Sequence, residues 1–155
     1  GAPVNQKHVP CYKVLVLIPD DMMTVKKKGF HIALDTTNRI LRIWAWGFWD
    51  VTVAQEFKDA LHMKGQEIKE SSKEWYLLMD LTDCFTPPQK VHSIMHAGLA
   101  SLDGQWIQKR AILAGRSIAL FQALRQAQDT HLPVYSYFRS EDEAVRWLID
   151  EISSL

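Results

Sequence analysis

The chain has 155 residues, 47% of them hydrophobic and 23% charged, which suits one folded domain and excludes wholesale disorder. Eighteen basic side chains balance eighteen acidic ones, so no net field gathers nucleic acid or an anionic membrane surface. No cofactor motif is visible, and none is expected.

Residues 1–29 stand apart as an N-terminal extension: an extra edge strand, a flap over the sheet or an arm. Its apolar run "VLVLI", Val14 to Ile18, is too short to span a membrane and is closed by Pro19, Asp20 and Asp21. It also lacks a small-residue cleavage site, so neither a transmembrane segment nor a signal peptide is expected. Cys11 and Cys84 share no metal-ligand spacing and read as reduced thiols. Together these features point to a cytoplasmic protein.

From residue 30 to 155 strands and helices alternate. "FHIALD" and "RILRIWAW" are strand-like runs joined by a polar turn at Thr36, Thr37 and Asn38, as in a hairpin. Gly47 ends the second run and Asp50 suits a helix N-cap. Val53, Ala54, Phe57, Leu61 and Ile68 then recur at helical spacing, and fraying is expected between Gly65 and Ser72. "EWYLLMDL", Glu74 to Leu81, has the length and apolarity of a strand buried on both faces. Pro87 and Pro88 stop it and open a helix whose stripe is Val91, Ile94, Met95, Leu99 and Leu102, ending near Gly104. "RAILAG" is a further strand, after which Ser117 suits the cap of a helix carrying Ile118, Phe121 and Leu124. "LPVYSYF" is the last strand. Ser140 and Glu143 form a capping box ahead of Ala144, Val145, Leu148 and Ile152. The order predicts an α/β fold: a mostly parallel sheet with an antiparallel N-terminal hairpin strand and amphipathic crossover helices.

The string "GFWD" opening a helix, followed by "WYLLMDLTD", "RAILAG" and "FRSEDEAVRWL", resembles the STAS-like, SpoIIAA-like family of anti-sigma-factor antagonists, related in architecture to CRAL-TRIO lipid-binding domains. The likeness runs from about Gly29 to Ile152 and rests on short hydrophobic signatures. It implies a (βα) superhelix and a non-enzymatic binding or regulatory role. Members switch partners through a phosphorylated serine in an Asp-Ser-Ser-Gly run after the central strand. Here that place reads "DLTDCFTPPQ", without the run, and Thr82 and Thr86 are the nearby hydroxyls for any phosphorylation-responsive relay.

Several residues are candidates for contact. Alternation along the second strand puts Ile40, Arg42, Trp44 and Trp46 on one face and Leu41, Ile43 and Ala45 on the other. If crossover helices cover the leucine side, Trp44 and Trp46 need another cover: the N-terminal extension, a second copy of the chain, or a ligand. Phe48 and Trp49 either staple the first helix to the sheet or rim a cleft. Ligands of open α/β sheets gather at the carboxyl ends of strands, here the loop Asp80, Thr82, Asp83, Cys84 and Phe85, and the turn Gly115, Arg116 and Ser117. That turn suits a tight cap or an anion. Cys84 with His92 and His96 downstream suggests a small cysteine- or carboxylate-dependent hydrolase as an alternative, but no base is fixed by the sequence and an inert buried thiol is the plainer expectation. His92 and His96 lie four apart without the glutamate of a metalloprotease motif, so a solvated helix face is expected and no metal. The expected partner is a protein or a small apolar ligand, with no nucleic acid.

Overall fold

The computed structural model describes residues 27–102, 106–114 and 135–150. Five strands form one sheet in chain order: β1 (Gly29–Asp35), β2 (Ile40–Gly47), β3 (Trp75–Cys84), β4 (Ile107–Leu113) and β5 (Ser136–Phe138). β1 runs antiparallel to β2, and every later neighbour is parallel. The described helices are α1 (Val51–Ser71), α2 (Gln89–Ala100) and α3 (Glu141–Ile149). The expected α/β sheet with its N-terminal hairpin is therefore the observed fold. The 1–26 part of the extension and the Gly115–Ser117 turn with its helix lie outside the described residues, as do Gly104, Ile152 and Cys11.

The hairpin is set by local chemistry. The buried Asp35 carboxylate accepts hydrogen bonds from the Thr37 and Asn38 amides and from Asn38 Nδ2, which closes the turn before β2 begins. At the far end Gly47 has φ of +80°, and a Cβ there would collide with the Lys27 carbonyl oxygen and Lys28. Only glycine fits this backbone.

Successive parallel strands in chain order, joined by right-handed crossovers, put their helices on one side of the sheet. Accordingly α1 and α2 cover the Leu41, Ile43 and Ala45 face, together with Leu77 and Met79 of β3. Gly98 of α2 lets that helix approach α1 closely, since a Cβ would sit 3.2 Å from Lys58 Cα. The last described helix, α3, lies over the opposite face. There Ala144, Val145 and Leu148 bury Ile40, Tyr76, Leu78 and Leu113. Ser140 caps it by accepting from the Glu143 amide.

Two boundaries differ from expectation. Helix α1 does not fray at Gly65 but continues to Ser71, because buried Ile68 ties its last turns to the core and Ser72 closes it in a left-handed conformation. Strand β3 does not stop at Leu81. It runs to Cys84 by pairing with β2 alone, with one extra residue between the Trp44–Asp80 and Trp46–Asp83 pairs.

Candidate functional site

Three places deserve description as sites: the tryptophan face, the carboxyl ends of β2 and β3, and the pockets along the helices.

Trp44 and Trp46 are only 6% and 4% exposed, so this indole face is covered rather than open. Arg42 lies over the Trp44 ring at 5.0 Å, and the His31 ring packs 5.5 Å from it. Arg42 is itself buried, and its Nη2 donates to Glu141 Oε1 of α3 at 2.8 Å. That pair joins residues 99 apart in the chain and anchors α3 to the sheet. Trp49 does not rim a cleft. It is wholly buried between Phe30 and Phe57, and its Nε1–H donates to the carbonyls of Gly29 and Trp46, both at 3.1 Å. It staples α1 to the hairpin.

The segment Asp80–Cys84 is bulged strand, not loop. Asp80 Oδ1 accepts from the Thr82 amide at 2.9 Å, which satisfies the donor left over at the bulge. Thr82 and Asp83 face solvent. Cys84 is buried in the main core cluster, its thiol directed at the Phe85 carbonyl, and burial with the neighbouring Asp83 charge pushes it up to about 12. Such a thiol stays protonated at physiological pH and is a poor nucleophile.

Beyond Cys84 the chain turns outward. The Phe85 amide donates to the Gly47 carbonyl at 3.1 Å, so the two strand ends stay paired as they leave the sheet. Phe48 and Phe85, the residues immediately following, are 56% and 67% exposed, and Val51 at the start of α1 is exposed too. Asp50 caps α1 through the Val53 amide, while the hydrogen bond from the Lys28 ammonium holds its carboxyl below the usual range. An apolar patch with acidic side chains thus marks the carboxyl end of the central strands. Of the two expected roles, Trp49 takes the staple, on the same face as Leu41, Ile43 and Ala45, while Phe48 is left exposed at the strand end.

His92 and His96 are not on a solvated helix face. His92 is 5% exposed, Nδ1 has no hydrogen-bond partner among the described residues, and the two rings lie 4.7 Å apart, centroid to centroid. Burial, aided by His96, pushes His92 down to about 4, so it is neutral at physiological pH. The reason was legible: positions 92, 95, 96 and 99 form one helical stripe with Met95 and Leu99. These residues wall a small pocket of about 40 Å³, closed on the sheet side by Met79, Leu81, Ile112, Tyr135 and Tyr137. A wider, more polar groove of about 290 Å³ lies between α1 and the stretch before β4, with His62, Gln66, Lys69 and Trp106 among its walls.

Among the described residues there is no cluster of three or more histidine, cysteine or acidic side chains that could hold a metal. No helix among them is long and apolar enough to cross a membrane. Comparison with protein-family models, with curated proteins and with solved structures finds no significant match in any of the three.

Proposed function

We propose that the chain is a non-catalytic, STAS-like domain that recognises a partner protein at the carboxyl ends of β2 and β3. The observation that carries this reading is the exposure of Phe48 and Phe85 on two strand ends held together by the Phe85–Gly47 hydrogen bond. Both flank buried, well-packed backbone, so they are presented rigidly and lose little freedom on contact. Clustered exposed aromatics on a fixed scaffold are the usual anchors of a protein interface. Asp83 beside them favours a partner that offers an apolar side chain flanked by a basic group. The family likeness finds support in the chain-order sheet with an antiparallel leading strand. The hydrolase alternative is less well supported, since Cys84 is buried with its thiol raised and Asp80 accepts from the Thr82 amide.

The test is quantitative capture from a lysate of the source organism by wild-type protein, by a Phe48→Ser/Phe85→Ser variant, and by Met63→Ser. Met63 is an equally exposed apolar residue of α1 away from the strand ends. The same protein should be retained by wild type and Met63→Ser and weakened on the double variant by about 2 kcal/mol or more, the scale of an interface hot spot. Equal retention by all three would refute the assignment of this surface.

A further inference from the structure

The pocket beneath α2 is separate from the strand-end surface and calls for its own explanation. Its volume of about 40 Å³ is far below the roughly 150 Å³ of a cavity that admits benzene. An organic ligand does not fit; a species the size of a water molecule or a single ion does.

The chemistry of the wall separates these two. His92, Met95 and His96 stand at i, i+3 and i+4 on α2, and Met79 faces them from β3. The wall offers imidazoles and thioethers, and no carboxylate among the described residues lines it. A metal about 2.0–2.1 Å from a ring nitrogen lies ~3.2 Å from that ring's centroid, so two rings meeting at it between a right angle and a tetrahedral angle have centroids ~4.5–5.2 Å apart. The observed 4.7 Å falls inside that interval. The buried Nδ1 of His92 is unused by any described donor or acceptor.

We propose that this pocket binds copper(I), held by a ring nitrogen of each of His92 and His96 and by the thioether sulfurs of Met95 and Met79. Thioether sulfur selects soft, monovalent copper over zinc or magnesium, and a low charge suits a site with no anionic ligand. No electron is transferred on binding: the metal enters already reduced, and neutral His92 keeps its one proton on the nitrogen that does not bind. This reading is independent of the protein partner, because the pocket and the Phe48–Phe85 surface share no residue.

The experiment is an anaerobic copper(I) titration of the full chain in competition with a chromophoric copper(I) chelator. It is performed in a Cys11→Ser/Cys84→Ser background so that thiols do not contribute. The protein should withdraw one equivalent of copper(I) from the chelator and take up no zinc. His92→Leu should weaken copper binding at least ~100-fold, above the ~10–100-fold typical of losing only an outer-shell partner. Met95→Leu and Met79→Leu conserve core volume and keep the fold, and each should weaken binding at least ~10-fold by the same comparison. X-ray absorption of the loaded protein should show a sulfur shell. Failure to compete with the chelator would overturn the proposal, and so would binding that survives both methionine substitutions unchanged.

Discussion

Within the nine residues "RIWAWGFWD" the chain carries two sets of aromatics with opposite fates. Trp44, Trp46 and Trp49 are buried, Trp49 without any exposure, whereas Phe48 is more than half exposed and is joined at the next strand end by Phe85. The difference lies in where each ring sits. The Trp49 indole has a donor that two backbone carbonyls accept, and Trp44 lies under a guanidinium. Phe48 and Phe85 follow the last residues of β2 and β3 and are left at the rim. Large aromatics crowded in sequence are therefore the hairpin's own paving, and the surface available for recognition belongs to the less conspicuous residues beside them.

Substitutions can break that contrast, beginning with the largest effect. Trp49→Ala should cost about 3–5 kcal/mol, as for other large-to-small aromatic core changes, read as a lower midpoint in urea unfolding. Arg42→Ala should be comparably damaging, about 3–5 kcal/mol, because it strands the mostly buried Glu141 carboxylate without its counter-charge. Replacing both partners together, Arg42→Met with Glu141→Leu, should recover most of that loss or exceed wild type, since a well-packed apolar pair carries no desolvation cost. Gly47→Ala should lower stability by about 1–2 kcal/mol through the left-handed backbone alone, and further through its collision with the Lys27 carbonyl, read as a lower melting temperature.

A subtler effect comes from acid. His92 titrates at about 4 when folded against an ordinary 6.5, so the unfolded chain takes up that proton first. Its contribution is constant above pH 6.5, is lost progressively as the pH falls from 6.5 to about 4, and is level below that. Urea unfolding across this interval should show a smaller decline in His92→Leu than in wild type, since His31, also lowered by burial, declines with it.

Much of the fold was legible because period and capping chemistry act locally. The hairpin runs, the Asp50 and Ser140 caps and the apolar stripe of α1 all lie where spacing places them. The failures share one cause, which is dependence on partners far away in the chain. Ile68 extends α1 past Gly65 because the core is there to receive it, and β3 continues to Cys84 because β2 supplies a partner. Arg42, between Leu41 and Ile43, gave no sign of Glu141, 99 residues on. The site was less legible than the fold. Alternation assigns faces correctly through Gly47, and Trp49 still joins the Leu41, Ile43 and Ala45 cluster, but nothing in the sequence marks Phe48 as exposed rather than covered. His92 is different, because its stripe with Met95 and Leu99 was visible, and the charged-residue habit of histidine hid it.

The central claim is that recognition occurs at Phe48 and Phe85. It is tested most directly by placing the photo-crosslinking residue benzoylphenylalanine at position 85 in one protein and at position 63 in another. Both are irradiated in a lysate of the source organism, and the products are identified by mass spectrometry. Position 85 should give one dominant crosslinked protein that position 63 does not give. Equal labelling from both positions, or none from position 85, would contradict the account.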